Sequence, residues 1–333
     1  MKAIIAIPVL LAMVYRAWSH KSLTPAGIVA AILTGVAHAV HPWSLPFALL
    51  IIFFLAGTRV TKVKQDVKAR LTVQANGSSG GEGARTHIQV FANSAVASIL
   101  SLLHTYQLRQ REQNPFSDPG SIPRCYTWGD DVLVIGIVAN YAAVAADTFS
   151  SELGILSKSR PRLITSWNLR QVPPGTNGGV TVWGLVAGLL GSLIIVLASV
   201  ALIPFCPESS SVIGVAGAWA LRQRLRFVLI MTIWGALGSV LDSLLGGWFQ
   251  PSVVDTRTGK IVEGKGGAHV LISSPTSKGS AKTKGAGKQG RDEQPSRMLE
   301  SGSLGLLDNN QVNFLMALAM SIGAVALSSI IRV

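Results

Sequence analysis

Charged side chains are scarce in this chain. They make up 14% of its 333 residues, whereas 49% of the residues are hydrophobic and the mean hydropathy is +0.43. Soluble domains carry about 25% charged residues, so the composition excludes a protein that folds around a single core in water. The apolar residues instead form separate long runs, each close to the roughly 20 residues that cross the hydrocarbon of a bilayer.

Familiar ligand-binding motifs are also missing. The sequence contains neither a Walker-type G-x-x-x-x-G-K-[ST] loop nor the motif set of protein kinases, so no common motif independently supports a nucleotide-dependent reaction. Aromatic residues make up only 7% of the chain and are not interleaved with basic residues as in a nucleic-acid groove. We therefore expect no nucleic-acid partner, although the net charge is +13.

The apolar runs predict an all-α fold, a polytopic transmembrane helical bundle of about eight spans, with seven to nine as the range. The predicted spans are residues 3–18, 25–40, 45–59, 87–104, 132–151, 180–203, 227–248 and 312–331. Residues 211–221 predict either a re-entrant segment or an extension of the seventh span. We divide the chain into residues 1–249 with seven spans and the site loops, a cytosolic segment 250–311, and a last transmembrane helix 312–333.

Basic residues are distributed unevenly between the loops. The loops after spans one, three and five carry two, six and four of them, against three in loops two and four together. The positive-inside rule then places the odd-numbered loops in the cytosol, facing the lipid bilayer's anionic leaflet, and both termini on the other side. No transit peptide is evident, so the endoplasmic reticulum is the default location.

Several features follow from this topology. The two cysteines, Cys125 and Cys206, fall on the predicted lumenal side, where a disulfide is permitted but not required. The glycosylation sequon at Asn76 lies in a predicted cytosolic loop and should stay unmodified. The Gly/Ser-rich residues 72–84 predict a flexible stretch, residues 253–262 a small β-hairpin, and the basic residues 273–297 a disordered linker.

Polar groups inside the apolar segments collect near the predicted cytosolic face. Span five ends with Asp147 and Glu152, and span seven ends with Asp242. Carboxylates in a membrane span are costly and usually functional. Asn309 and Asn310 begin span eight, and Arg85, Gln89 and Asn93 form one helical stripe at the start of span four because they follow at intervals of four residues.

The loop PPGTNGG at residues 173–179 is the strongest chemical element. It precedes span six, so Thr176 or Asn177 is expected to cap a helix whose first N–H groups, with the backbone of Gly178 and Gly179, attract phosphate. The nearby carboxylates would hold Mg²⁺ on such phosphates, and Lys62, Lys68 or Arg85 would neutralise the remaining charge. Glu152 is rotated by about 140° from Asp147, so both reach one ion only if the helix loosens near Gly154.

Structural interpretations compete with these functional ones. The glycine-rich loop is also typical of an ordinary helix start, and Asp147 or Asp242 alone could form a structural interhelical hydrogen bond. Gly184 with Gly188, and Gly235 with Gly238, predict helix-packing notches. His38 and His41 are interpreted as interfacial bystanders, and the tryptophans, Trp43 and Trp167 among them, as an aromatic belt.

Six blocks in fixed order identify a resemblance over nearly the whole chain. They are FFLAGTRVTKVKQDVKARL (53–71), RTHIQVFANSAVASIL (85–100), AADTFSSELG (145–154), VPPGTNGGVTVWG (172–184), GSVLDSLLGGWFQ (238–250) and LDNNQVNFL (307–315). They resemble a family of integral membrane proteins that contains transmembrane protein 19 and the plant phytyl-phosphate kinase. The resemblance implies transfer of a phosphoryl group from a nucleoside triphosphate such as CTP to an isoprenyl phosphate.

In that interpretation the catalytic and metal-binding residues are Asp147, Glu152 and Asp242. The nucleotide and phosphate contacts come from Thr176, Asn177, Gly178, Gly179, Lys62, Lys68, Arg85, Asn93, Asn309 and Asn310. The alternative is a transporter or lipid carrier, which would place polar residues at the bilayer midplane, where Asn140 is the one persuasive candidate. A scaffold that uses the long basic loop is the third hypothesis.

Overall fold

The computed structural model describes residues 3–75, 78–80, 83–113, 125–126, 131–205, 221–264, 270 and 297–330. The helices in this part of the chain are α1 Ala3–Ser19, α2 Pro25–Ala39, α3 Leu45–Lys62, α4 Gln65–Ala69, α5 His87–Gln113, α6 Val132–Gly154, α7 Val182–Leu202, α8 Leu221–Phe249 and α9 Asn309–Ile330. Short strands join them at one end of the bundle. The protein is a helical membrane bundle, as the apolar runs predicted.

Six of the described helices, α3 and α5 to α9, are long and apolar enough to cross a membrane. The other two predicted spans correspond to shorter apolar helices. The runs at 3–18 and 25–40 form helices of 17 and 15 residues. A helix of 15 residues is only about 22 Å long at 1.5 Å per residue, which is shorter than a hydrocarbon core of about 30 Å.

The other predicted spans agree with helices, apart from their ends. The third, at 45–59, is confirmed and extends to Lys62. The seventh begins earlier than predicted, at Leu221. Of the apolar residues 211–221 only Leu221 is described, so the choice between a re-entrant segment and a longer seventh helix lies outside the described residues.

Helix α6 lies at the centre and packs against α3, α5, α7, α8 and α9. Residues 134–146 of this helix are all buried. Small residues bring its neighbours close: a Cβ added at Gly235 or Gly238 of α8 would lie 2.6 Å from the Cβ of Ala142 or Ala143 respectively. The predicted packing notches are confirmed, because such short approaches exclude any larger side chain.

A four-stranded sheet lies beside the helix ends, in the order β1 Thr72–Gln74, β5 Lys260–Glu263, β4 Ser252–Asp255 and β6 Arg297–Ser301. The predicted hairpin is confirmed: β4 and β5 pair antiparallel, with Val253 opposite Val262. The flexible stretch predicted at 72–84 was wrong at its start, because β1 pairs in parallel with β5. Residues 273–296 lie outside the described part, and Arg297 begins a strand rather than ending a linker.

Odd-numbered loops meet at one end of the bundle and even-numbered loops at the other. At the first end, Thr24 N donates to Arg85 O at 2.9 Å, and Arg297 Nη2 donates to Ala75 O at 2.6 Å. At the opposite end, Tyr126 N donates to Pro204 O at 2.7 Å. The odd-numbered loops therefore lie together, while the assignment of that end to the cytosol stays a prediction, as does the three-part division of the chain.

The interpretation of His38 and His41 as interfacial bystanders was wrong. His38 Nε2 lies 2.7 Å from the Tyr141 hydroxyl, and His41 Nε2 lies 2.8 Å from His104 Nδ1. His104 Nε2 lies 3.1 Å from Asp131 Oδ1. All five side chains are fully buried. Hydropathy windows cannot show this, because the partners lie on other helices.

Two further expectations concern the tryptophans and the cysteines. Trp43 belongs to no exposed belt, since it is buried and its ring contacts those of His41 and His104. Trp167, in contrast, is fully exposed. Cys125 is disulfide-bonded, whereas Cys206, like the sequon residue Asn76, lies outside the described residues.

Candidate functional site

Two carboxylates face each other across the bundle at the end where the odd-numbered loops meet. Asp147 of α6 and Asp242 of α8 lie close enough to interact electrostatically. Each follows a packing residue by one helical turn: Asp147 follows Ala143, and Asp242 follows Gly238. Because Gly238 has no side chain, α6 and α8 approach closely, and the two carboxylates end up on facing surfaces.

Amide side chains at the start of α9 and just after α8 lie on the Asp242 side of this carboxylate pair. With its amide nitrogen turned toward them, Asn313 donates to Asp242 Oδ2 at 3.0 Å and to Asn309 O at 3.1 Å. Gln250 Nε2 lies 3.4 Å from Asn309 Oδ1. Asn310, next along the chain, is buried. The predicted residues Asn309 and Asn310 thus belong to the same corner as Asp242, and Gln250 and Asn313 complete it.

Glu152 does not join the carboxylate pair. It forms an ion pair with Lys68, and both side chains are largely buried. The Lys68 ammonium also donates to the carbonyls of Val60 and Thr61 at the end of α3. The predicted metal triad of Asp147, Glu152 and Asp242 is therefore not assembled, because α6 stays helical to Gly154 and directs Glu152 to a different neighbour.

Arg85 lies next to the Lys68 and Glu152 pair. Its Nη2 donates to Thr61 Oγ1 at 3.0 Å, and Thr61 Oγ1 in turn donates to Gly57 O at 2.9 Å. A Cβ added at Gly57 would lie 3.7 Å from Arg85 Nη1 and 3.8 Å from the Thr148 methyl group. Arg85 and Thr148 of α6 thus both border the space left by the missing side chain of Gly57. Lys62, by contrast, is exposed and forms no ion pair in the described part of the chain.

Three backbone N–H groups of the glycine-rich loop already have acceptors within the protein. Thr176 N donates to Pro173 O, Gly179 N to Thr176 O, and Asn177 N to Ser252 Oγ of β4 at 2.8 Å. Helix α7 begins at Val182 and is capped by Thr181, whose Oγ1 accepts from Gly184 N at 3.0 Å. The expectation that Thr176 or Asn177 caps this helix was wrong.

Close packing explains the glycines of this loop. Gly178 has φ +80°, and a Cβ there would lie 2.7 Å from Gly247 Cα. The adjoining strand β3 Gly179–Val180 pairs with β2 Arg162–Leu163, and Ser301 Oγ donates to Asn177 O at 3.0 Å. The loop, which leads into α7, therefore packs against both α8 and the four-stranded sheet. Such contacts join segments far apart in sequence, so local spacing could not predict them.

The polar stripe on α5 faces an apolar cleft. Arg85, Gln89 and Asn93 line it together with residues of α1, α2 and α3. From the other side, Asn140 Nδ2 of α6 donates to Asn93 O at 3.0 Å, and the buried Asn140 Oδ1 makes no hydrogen bond in the described structure. The predicted stripe is thus placed between the cleft and the face of α6 that carries Asp147.

Asp147 and Asp242 supply two carboxylates to a metal ion, so most of its ligands would have to come from water or substrate. No group of three or more His, Cys, Asp or Glu side chains that could hold a metal occurs among the described residues. Magnesium, however, commonly takes one or two protein carboxylates and completes its shell with water and substrate phosphates. Asp147 and Asp242, with amide oxygens nearby, fit that mode, whereas Glu152 is already paired.

Sequence reasoning counted Gln250 and Asn313 among the polar residues at this membrane face without giving them a role in the site, and it did not single out Thr61. In the structure Asn313 donates to Asp242, Gln250 lies beside Asn309, and Thr61 connects Arg85 to α3. For Thr61 no local pattern exists, because its partner lies on another helix.

Comparisons with known proteins agree with this architecture. The family described as integral membrane protein DUF92 matches residues 8–321. The chain is 34% identical over 256 residues to Protein PGR of Arabidopsis thaliana, covering 77% of this chain and 81% of that protein. An uncharacterized membrane protein of Methanocaldococcus jannaschii is 29% identical over 202 residues, which cover 61% and 64% of the two chains.

A second Arabidopsis thaliana protein, "Protein VTE6, chloroplastic", is 31% identical over 170 residues, covering 51% of this chain and 44% of that protein. No solved structure matches the chain. Because the name of this relative refers to the chloroplast, it gives no support to the predicted location in the endoplasmic reticulum. The coarser statement holds: this is a multi-pass membrane protein.

Proposed function

The chain belongs to the DUF92 family of integral membrane proteins, and from this premise we propose that it phosphorylates an isoprenyl monophosphate at one face of the membrane. The phosphoryl donor is a nucleoside triphosphate such as CTP, and the products are an isoprenyl diphosphate and the nucleoside diphosphate. The resemblance of the six sequence blocks to a family with a prenyl-phosphate kinase supports this reaction.

One observation carries the proposal: the carboxylates of Asp147 and Asp242 lie close enough to interact, at the end of the bundle where Arg85 lines an apolar cleft. Two facing carboxylates are costly unless a cation offsets their repulsion. A cation with an adjacent arginine is suited to phosphate groups. The apolar cleft supplies what an isoprenyl chain requires, a surface away from water.

The reaction itself asks little acid or base chemistry of the protein. An oxygen of the acceptor monophosphate attacks the terminal phosphorus of the donor, a new P–O bond forms, and the bond to the departing nucleoside diphosphate breaks. The acceptor is already an anion, so catalysis depends on positioning and on neutralising charge. Magnesium held by Asp147 and Asp242 would supply part of that neutralisation.

The remaining residues receive separate roles. Arg85 orients the acceptor phosphate, and the exposed Lys62 contributes a donor-side charge. Lys68 and Glu152 are positioning residues that fix the end of α3 against α6. Asn177, Asn309, Asn310 and Asn93 present amides near the polyphosphate, while Thr176, Gly178 and Gly179 hold the loop in shape.

Phosphoryl transfer in detergent-purified protein tests this proposal. Labelled CTP, ATP, GTP and UTP are offered with farnesyl, geranylgeranyl and phytyl monophosphates, with and without Mg²⁺. We expect diphosphate from at least one pair, and a loss of at least 100-fold in Asp147→Asn and Asp242→Asn. Asp66→Asn, an exposed carboxylate on α4, is the matched control and should keep wild-type turnover. Folded wild-type protein without turnover on any pair would sink the proposal.

A lipid carrier or transporter is the second candidate, and one observation favours it. Asn140 and the His38–Tyr141 pair are polar groups buried in the interior of the bundle. Polar groups deep in a membrane often mark a translocation path. Flux of isoprenyl phosphates across proteoliposomes, with no diphosphate product, would replace the kinase proposal with this one.

A further inference from the structure

A turn between β2 and β3 holds two apolar side chains in the open. Residues 163–170, here called the Trp167 turn, are closed by a hydrogen bond from Leu163 N to Arg170 O at 2.9 Å. The indole of Trp167 is fully exposed, and Leu169 is exposed too. An indole that stays in water gains nothing from the hydrophobic effect, so its exposure indicates an apolar partner outside the protein.

The Trp167 turn is ordered by its own hydrogen bonds. Ser166 N donates to Leu163 O at 3.1 Å, and Leu169 N donates to Ser166 O at 2.9 Å. The Ser166 hydroxyl donates to Asn168 Oδ1 at 2.7 Å. Leu169 has φ +47°, a backbone conformation that side chains disfavour. The turn therefore has a fixed shape, and this shape directs Trp167 and Leu169 outward.

Contacts with α7 and α8 place the Trp167 turn beside the ends of two membrane helices. The turn follows β2, which pairs with β3 just ahead of α7. A Cβ added at Gly247, in the last turn of α8, would lie 2.7 Å from the Thr165 methyl group. Both helices are long and apolar enough to cross a membrane, and they carry the exposed Trp183 and Trp248 at these same ends. Tryptophan is enriched at the membrane–water interface, so the turn lies at interfacial depth.

Basic side chains flank the turn without acidic partners. Lys158 and Arg160 precede β2, Arg162 begins it, and all three are exposed. None of them forms an ion pair in the described part of the chain, whereas Arg170 is paired with Glu300. Surplus cations next to an exposed indole match a surface with anionic head groups above an apolar layer. A phospholipid leaflet has that arrangement.

We propose that the Trp167 turn is a membrane-docking element that selects anionic phospholipids. The indole of Trp167 enters the boundary between head groups and acyl chains, and Lys158, Arg160 and Arg162 contact the phosphates. The leaflet is the one at the end of the bundle where the odd-numbered loops meet. A tryptophan of an ordinary aromatic belt, by contrast, sits on a spanning helix and favours no particular head group. Docking would operate whether or not the protein is a kinase.

Quenching by lipids measures the depth of the indole. The whole chain is reconstituted in nanodiscs of phosphatidylcholine and phosphatidylserine whose acyl chains are brominated near the head group. The emission of Trp167→Phe is subtracted from that of wild type, so that the difference isolates one ring. We expect this difference to be quenched by the brominated chains and shielded from iodide in the water. Quenching by iodide alone would overturn the inference, because the turn would then stand in water.

Binding of short-chain lipids measures the selectivity. Dioctanoyl phosphatidylserine, dioctanoyl phosphatidylcholine and glycerophosphoserine, which has the head group without the chains, are titrated into the purified whole chain in a neutral detergent. We expect phosphatidylserine to bind at least tenfold more tightly than either of the others. Equal binding of phosphatidylcholine would exclude a role for the basic residues, and equal binding of glycerophosphoserine would make the turn a site for soluble anions. Either result would overturn the inference.

A pair of charge variants assigns the selectivity to the turn. Lys158→Gln/Arg160→Gln should weaken phosphatidylserine about tenfold or more, since each basic residue near an anionic surface contributes about fivefold in affinity. Arg257→Gln/Lys260→Gln removes the same charge from the hairpin of β4 and β5 and should leave the affinity unchanged. Equal losses in the two double variants would mean that only net charge matters, which would overturn the inference.

A pair of aromatic variants tests the indole in the same way. Trp167→Ala should weaken phosphatidylserine at least fivefold, whereas Trp18→Ala removes an exposed tryptophan from the end of α1 and should not. All the substituted side chains lie on the surface, so the variants should fold as wild type does. Wild-type affinity in both Trp167→Ala and Lys158→Gln/Arg160→Gln would refute docking by this turn.

Discussion

Lys68 and Glu152 form an ion pair that joins the segment after α3 to the last turn of α6. Lys68 is nearly buried, and its ammonium also donates to two carbonyls at the end of α3. The pair thereby uses the carboxylate that sequence reasoning had assigned to a metal ion. It also fixes the position of Thr61, the residue that receives Arg85.

Glu152→Gln should destabilise the protein by about 3 kcal/mol, because it leaves the Lys68 ammonium buried without its counter-charge. The double variant Lys68→Met/Glu152→Gln removes both charges and should recover most of that loss. Thermal unfolding in one detergent measures both. Turnover of the double variant is the second measurement. If Lys68 and Glu152 only position α3 against α6, the double variant should regain activity together with stability. If it stays inactive although its stability has recovered, Glu152 is a catalytic residue.

Magnesium should stabilise the wild-type protein through Asp147 and Asp242. A ligand that binds only the folded state at 100 times its dissociation constant adds about 2.7 kcal/mol. We expect the melting temperature to rise with MgCl₂ and not with ionic strength matched by NaCl. Asp242→Asn should abolish the rise and, because it removes one of two facing like charges, should not lower the melting temperature without metal. An unchanged response in this variant would exclude Asp242 as a ligand.

Gly178→Ala should be strongly destabilising for two reasons. Its φ of +80° disfavours a side chain, and a Cβ would lie 2.7 Å from Gly247 Cα on α8. Gly259→Ala is the matched control, because Gly259 has φ +66° with nothing within 4 Å, so it isolates the backbone cost of about 1 kcal/mol. Chemical unfolding should show a much larger loss for Gly178→Ala; equal losses would mean that the loop does not clamp α8.

Acid should weaken the opposite end of the bundle. Burial, and then the neighbouring His104, lower the pKa of His41 to about 3 from 6.5. Between those values the unfolded chain binds the proton and the folded one does not, so stability falls as pH drops below about 6.5, by at most about 1.4 kcal/mol per pH unit for this group. Above pH 6.5 this contribution is complete.

Asp131 and Arg111 also face the histidine pair, because Arg111 Nη1 donates to Asp131 Oδ1 at 2.7 Å. The measurement is therefore the slope of unfolding free energy against pH from 7 to 5, compared between wild type and His41→Gln. The slope should decrease by up to one proton in the variant, whatever its absolute stability. The exposed His20→Gln serves as control, and a slope that is the same in all three proteins would refute a neutral His41.

Much of the architecture could be predicted from local pattern. Apolar runs predicted the spanning helices, and the distribution of basic residues predicted that the odd-numbered loops lie on one side. The Thr-Gly turn predicted the hairpin of β4 and β5. Each of these features depends on residues that are close together in the chain. The runs at 3–18 and 25–40 predicted α1 and α2 nearly to the residue, although both are shorter than the other membrane helices. Strand β1 was missed because its partner β5 lies nearly 190 residues away.

The candidate site divides in the same way. Local sequence was enough to predict that Asp147, Glu152 and Asp242 lie near one membrane face, because helix length and direction fix the depth of every residue on a span. That Asp147 lies near Asp242 while Glu152 pairs with Lys68, that Asn177 N donates to Ser252 of the sheet, and that His41 is buried depended on the folded bundle. The depth of a residue in the membrane follows from its position along one helix. The side chain that it contacts depends on how neighbouring helices are rotated and packed, and no single segment of the sequence determines that.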